Sequence, residues 1–321
     1  MQDRTGPPRV PIKLNPEPVE RVWGGTAVSK AFGWAAPKGM TIGEWWTLSF
    51  RHDHPSRMAD GRFAGIPLPQ LTAAHPELLG KGVRPELLIK FLDSADRLSV
   101  QVHPDDAVAE EMGLESGKTE CWYYLQSSRG ATIYHGIKDG VEVDAFIRKA
   151  SENPSPDAMV SMINPVEVKE GAFSFISAGT VHAVGEGVFL MEVQQNSDTT
   201  FRIYDWGRPR ELHLEEARKA ILGARSEPFR TGTGQNDDLL VSCNKFIMKK
   251  LDFSSSTGVP CPGNLYASLI CIRGSGTISC EGYTSTFREG DSYFLPARCE
   301  TLEVSSLGKT VCIFSQQFCK S

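Results

Sequence analysis

The 321-residue chain lacks any apolar run long enough to cross a bilayer. Its first residues, MQDRTGPPRVPIKLNPEPVERVWGG, carry charges and prolines but no apolar signal core. These absences lead us to expect a soluble, cytoplasmic protein with no membrane partner. A basic excess is also missing. Lys and Arg total 34 against 39 Asp and Glu, a formal net charge of -5, which argues against a nucleic-acid partner and leaves room only for a local basic pocket suited to a small anion. None of the eight cysteines (Cys121, Cys243, Cys261, Cys271, Cys280, Cys299, Cys312 and Cys319) belongs to a CxxC pair. That excludes a zinc ribbon and favours reduced thiols set in strands.

What is present is strand-rich. GEWWTLSF, the run from Leu87 to Leu92, LSVQV, ECWYYL, FSFISAGTVHAV and VFLMEVQQ read as strands. Helical spacing is confined to a few places. These are HPELL, the polar stretch at 104–118, VDAFIRKASE with Val143, Phe146 and Ile147 on one side, and HLEEARKAIL with Leu214, Ala217 and Ile221 on one face. After about Asn236, short apolar runs alternate with Gly and Ser turns to the end, the pattern of an antiparallel sandwich or small barrel. TGTGQND before it reads as a linker. GAFSFISAGTVH and GDSYFLPARCE share a glycine, five residues and a strand corner. We therefore expect a mainly β chain of two related barrels in tandem with a few added helices. The expected division is a catalytic unit over 1–235 and a structural barrel over 236–321. The second corner, Pro296 to Glu300, has no histidine where the first has His182.

LSVQVHPDD sets Leu98, Val100 and Val102 on one face of a strand and Ser99, Gln101 and His103 on the other, before a proline ends it. Glu120 opens the next strand, and His182 follows the Gly179–Thr180 corner. Two imidazoles, a carboxylate and an amide on strands of one sheet system suit a divalent metal. His–His–Glu favours zinc, though cobalt or manganese fit the same donors. A lone strand histidine is more often a satisfied core group; the spacing is what raises the odds. It resembles the cupin motifs, with Gln101-Val102-His103 in place of HXH and Ser177 in place of the second motif's proline.

QVHPDD, GKTECWYYL and SAGTVHAVGEGVFLMEVQQNSDTTFRIYDWGR together resemble the class I phosphomannose isomerases of the short bacterial type. The resemblance runs from RVWGG into the C-terminal barrel. It implies tandem cupin (jelly-roll) barrels and one zinc ion per chain held by Gln101, His103, Glu120 and His182. It also implies a small-molecule sugar phosphate as partner, a monomer or homodimer, and interconversion of mannose 6-phosphate and fructose 6-phosphate. Arg202 matches the family's essential arginine, Glu192 its carboxylate, Lys118 the lysine before the metal glutamate, and Lys90 a lysine near substrate.

Moving a proton between C1 and C2 through a cis-enediol(ate) needs a base near both carbons and positive charge near both oxygens. Glu192 is the leading proton shuttle, Arg202 an electrostatic group, and Lys118 a phosphate or proton-transfer group. Each has a plainer alternative. Arg202 can be a strand arginine paired with Asp205 or Glu192, and Glu192 merely its partner. Asp198 can cap a turn, and Asp105 and Asp106 can open a helix. Trp23, Trp45, Trp46 and Trp206 are more often core than sugar platforms. A non-catalytic sugar-phosphate-binding or regulatory cupin is the competing function, and an iron cupin dioxygenase, which usually keeps HXH, is a third.

Overall fold

A computed structural model of the chain describes residues 10–233, 239–259, 263–280, 282–299 and 302–318. Residues 234–237 of the expected linker, the 235/236 division itself, Cys261, Cys319 and Glu300 lie outside the described residues.

Four antiparallel sheets carry the fold. A five-stranded sheet runs in the order Phe201–Tyr204, Val100–Val102, His182–Val184, Thr132–Ile137, Ile163–Glu167. It faces a seven-stranded sheet whose central strands are Glu120–Ser127, Val188–Gln195, Leu87–Ser94 and Ile42–Leu48. Together they form the first barrel. The second pairs a four-stranded sheet with another seven-stranded sheet, built around Thr310–Gln317, Ala267–Arg273 and Ser292–Leu295. Ile12–Asn15 joins this last sheet beside Ser292–Leu295, with Ile12 opposite Phe294, and Arg57–Met58 follows at its edge. The beginning of the chain thus extends a sheet made from its end.

Strand alternation decides what each layer holds. In the first barrel's large sheet, Leu87, Ile89, Phe91, Met191 and Val193 share one buried cluster with Ile270, Phe294 and Ile313 of the other large sheet. The two seven-stranded sheets therefore pack back to back. The alternate residues, Lys90, Glu192 and Gln194 among them, face the barrel interior. In the five-stranded sheet, Val100 and Val102 pack outward with Phe146, Ile147, Ala217 and Ala220 from the helices Val143–Ser151 and Leu214–Gly223. Both helices lie where their spacing predicts. Period-two alternation then turns Gln101 and His103 inward.

Candidate metal centre and substrate cavity

Two rows of side chains meet inside the first barrel. On the five-stranded sheet, Arg202, Gln101 and His182 stand opposite one another on adjacent strands, and His135 continues the row. On the large sheet, Trp122, Glu192, Lys90 and Trp46 form the facing row, with Glu120 opposite Gln194 one step along. Opposed residues of an antiparallel pair share a face, so register alone gathers these groups from distant parts of the chain.

The turn after the Val100–Val102 strand fixes His103. Pro104 ends the strand, and Asp105 caps the helix Asp106–Glu111 by accepting from the Val108 amide at 2.9 Å. At the Gly179–Thr180 corner Gly179 adopts φ 79°, donates its N–H to the His103 carbonyl at 2.8 Å, and leaves no room for a Cβ, which would lie 2.6 Å from that of Ala224. The two histidine-bearing turns are thereby joined backbone to backbone.

His103, Glu120 and His182 bring their ligand atoms within 4.8 Å of one another, and all three are buried. Glu120 Oε2 lies 3.5 Å from His103 Nε2, and Oε1 lies 3.4 Å from His182 Nε2. Each imidazole points Nδ1 at a backbone carbonyl, Thr199 O for His103 and Thr180 O for His182, both at 2.8 Å. A carbonyl only accepts, so Nδ1 carries the proton and Nε2 keeps its lone pair for the interior. Burial, with Lys118 nearby, holds the His103 imidazolium well below its ordinary range; burial takes His182 down to about 4, against the pull of the Thr180 carbonyl. Both rings are neutral donors at physiological pH. Neither Glu120 oxygen has a hydrogen bond; Lys118 Nζ pairs with Oε2 at 3.3 Å, and the arrangement is costly for a buried carboxylate unless a further cation completes it. Two fixed Nε2 lone pairs and a carboxylate without hydrogen bonds fit a divalent metal of the zinc type. The Gln101 amide reaches the same point, with Nε2 3.3 Å from His182 Nε2. Its two ends are nearly isosteric, so a half turn of the amide offers Oε1 in that place.

A cavity of ≈ 330 Å³ opens beside the triad, lined by Gln101, Lys118, Trp122, Glu192, Lys90 and Arg202, with Arg21, Asp198 and Arg210 among its other walls. Lys118 is buried, and its Nζ lies 3.3 Å from both His103 Nε2 and Glu120 Oε2. Lys90 is buried between carboxylates, 3.3 Å from Glu192 Oε1 and 3.8 Å from Glu44 Oε2. Burial opposes its charge, but Glu44, Glu192 and Asp198 outweigh that and raise its pKa. Glu192 Oε2 accepts from Trp122 Nε1 at 2.9 Å, while Oε1 makes no hydrogen bond. Burial, reinforced by the Glu120 charge, pushes Glu192 above the usual carboxylate range despite Lys90.

Arg202 resolves one of the plainer readings. Asp205 is taken by Arg210 through two bonds of 2.6 and 2.7 Å, and Glu192 by Lys90 and Trp122. Arg202 donates Nη1 to the Glu211 carbonyl at 2.8 Å; its Nε is buried with no partner, and among the described residues no carboxylate pairs with it. Its guanidinium keeps donors for a ligand. Asp105 and Asp106 stand at the start of a helix, as the plainer alternative had it. Of the four tryptophans weighed as sugar platforms, only Trp23 lines the cavity. Trp45 is in the core between the barrels, Trp46 lies under Lys90, and Trp206 donates to the Leu98 carbonyl.

The sequence reading missed Glu44, Arg21, Arg210, Trp122 and His135. Glu44 accepts from Trp46 Nε1 at 2.8 Å and Arg21 Nη2 at 3.0 Å. Burial alone would raise its pKa, but Lys90 and Arg21 bring it down to about 2. A lone glutamate inside the apolar run IGEWWTL was the available signal.

The family description "Phosphomannose isomerase type I, catalytic domain" matches residues 12–126. A curated relative named mannose-6-phosphate isomerase, from Streptococcus mutans, is 35% identical over 302 residues, covering 89% of this chain and 92% of its own. Mannose-6-phosphate isomerase ManA of Bacillus subtilis is 34% identical over 303 residues, covering 89% and 93%. The crystal structure of a mannose 6-phosphate isomerase from Bacillus subtilis superposes with a TM-score of 0.82 at 29% identity, over 95% of this chain and 99% of that one. A structure from Archaeoglobus fulgidus, described as a putative mannosephosphate isomerase, shares the fold with a TM-score of 0.80 at 22% identity.

Proposed function

The chain belongs to the type I phosphomannose isomerase family, and on that premise we propose a division of labour among the residues of its cavity. The enzyme interconverts mannose 6-phosphate and fructose 6-phosphate and is metal-dependent. We assign the metal as one zinc ion per chain, held by His103, Glu120 and His182 with Gln101 as the fourth and weakest ligand. The buried Glu120 carboxylate, without hydrogen bonds and set between two Nε2 lone pairs, supports this. When bound there, zinc would supply the positive charge that favours an oxyanion in aldose–ketose interconversion.

The remaining work falls to side chains. Arg202 presents unspent guanidinium donors to the negative charge that develops on the enediolate oxygens. Glu192 is the proton shuttle. Its raised pKa makes it a better base than an exposed glutamate, and Trp122 holds one oxygen while leaving Oε1 to take a proton. Lys90 stabilises the ionised form of Glu192, and its fixed charge on the cavity wall, with Lys118 and Arg202, binds the anionic substrate. We also place the protein in the cytoplasm, a reading supported by the buried thiols of Cys121, Cys243, Cys271 and Cys312.

The observation that carries this division is the facing of Glu192 and Arg202 across a cavity that adjoins the ligand triad. Isomerisation of mannose 6-phosphate in deuterated water tests it. Glu192→Gln should retain its metal yet lose deuterium exchange at C2 along with turnover. Near-normal exchange in that variant removes Glu192 from the shuttle role.

A further inference from the structure

Among the described residues, the second barrel contributes none to the metal centre, yet one of its lysines reaches the segment that carries Lys118 and Glu120. Lys245 lies in the turn between the strands Leu239–Ser242 and Phe246–Phe253, and its carbonyl accepts from the Phe318 amide at 2.7 Å. Its Nζ bonds Asp106 Oδ2. Asp106 Oδ1 in turn accepts from the Gly117 amide at 3.0 Å and from Gln195 Nε2 at 2.9 Å. Gln195 closes the circuit. Its Oε1 accepts from the Thr119 backbone N–H at 3.0 Å, and its own backbone N–H donates to the Thr119 carbonyl at 3.1 Å.

Three of these bonds end on Gly117 and Thr119, immediately before the metal-site glutamate. The backbone there is also fitted tightly. A Cβ on Gly117 would lie 2.5 Å from the Asp105 carbonyl carbon and 2.6 Å from the Asp106 nitrogen. Burial works against the Asp106 charge, but Lys245 and Gln195 bring its pKa down to about 2, so the carboxylate is ionised at neutral pH.

We propose that Lys245, through Asp106 and Gln195, is a positioning residue that lets the second barrel hold Lys118 and Glu120 in place for metal and substrate. The proposal rests on the assignment of Glu120 as a metal ligand. An ion pair that merely joins the two ends of the chain would behave differently. Lys13, which pairs with Asp291 at 2.6 Å far along the chain from either ligand strand, provides that comparison. Partners standing behind metal ligands typically change metal affinity by about 10- to 100-fold when removed.

Two measurements on the full-length protein test this: backbone amide exchange of Gly117 and Thr119 in the metal-free state, and zinc affinity by competition with a chelator. In Lys245→Met, exchange at both amides should rise about tenfold or more, zinc should bind about 10-fold or more weakly, and kcat should fall more than KM changes. Lys245→Arg should restore all three, and Lys13→Met should move none of them. Should Lys245→Met fail to fold, Asp106→Asn replaces it. That variant keeps an acceptor for Gly117 but not the charge that holds Lys245, and the same shifts are expected. Unchanged exchange and affinity in a folded Lys245→Met, or equal changes in Lys13→Met, would overturn the proposal. If wild-type protein takes up no zinc while the two amides respond as expected, the metal assignment falls and the positioning role stands.

Discussion

The two barrels share a plan and differ in what fills them. Inside the second, Ala267, Leu269, Cys271, Tyr293, Leu295, Cys312 and Phe314 from the large sheet meet Ile278, Phe287, Leu302 and Val304 from the small one in one apolar core. The Sγ atoms of Cys280 and Cys299 lie 3.6 Å apart within this core. In the first, apolar side chains such as Trp122, Tyr124, Ile176 and Leu190 fill only part of the interior. Positions that would otherwise hold more of them carry Lys90, Glu120, His182 and Glu192, all buried. Leaving ionisable groups inside a barrel is costly in stability, and the molecule offsets this by pairing them: Lys90 with Glu192 and Glu44, and Glu44 with Arg21 and Trp46. The same framework thus serves once as a filled core and once as a reaction vessel, with the choice made at a handful of inward positions.

The comparison is broken most severely at its polar end. His182→Ala removes one of the three proposed strong ligands, and loss of the metal's charge, worth several kcal/mol, should lower kcat by at least about a thousandfold. Metal analysis should show the metal lost in the same variant. Full metal occupancy there would rule out the assigned site. Arg202→Lys keeps a positive charge but loses the planar fork that spans two oxygens. Turnover should fall by a factor on the order of 100, with metal content intact and KM moving less; steady-state kinetics decide this.

Glu44 probes how the buried charges are sustained. Its pKa is depressed in the folded protein, from 4.5 to about 2. Its ionisation therefore stabilises the fold fully above about pH 4.5, and that contribution is lost as pH falls through 2. A depression of this size corresponds to a contribution on the order of 3 kcal/mol. Denaturant titrations should show Glu44→Gln less stable than wild type by that order at neutral pH, with the gap closing toward pH 2. A gap that is independent of pH would show that Glu44 acts through packing instead. At the apolar end, Leu269→Ala should cost about 2–5 kcal/mol of stability as a cavity opens in the second barrel. Its effect on kcat per folded molecule should be the smallest of the set. A large drop in kcat without unfolding would mean that the second core is coupled to the chemistry through its packing.

The half of the site written in local pattern was legible in the sequence. Val100 and Val102 face the helices, so Gln101 and His103 had to face inward, and the Gly179 corner delivers His182 beside them. Glu120, Glu192 and Arg202 were assigned through longer motifs, and the structure brings them to one cavity or its adjoining triad. What could not be read depends on register between distant strands. Glu44 reaches Lys90 because Trp46 pairs with Lys90 across the sheet, and nothing in IGEWWTL announces that pairing. The pairing of Ile12–Asn15 was invisible for a similar reason: four residues carry too little periodicity to show that they join a sheet beside Ser292–Leu295, about 280 positions later. Asp106 was visible as a helix opener, but its bond to Lys245 is a tertiary contact across 139 positions.

The central claim is that the first barrel's interior works because His103, Glu120 and His182 hold a metal. Isomerase activity on mannose 6-phosphate, followed through chelation and stepwise return of zinc, tests it most directly. We predict that activity disappears with the metal and returns in proportion to zinc, reaching its full value at one ion per chain. Undiminished activity in protein verified to be metal-free would contradict the account.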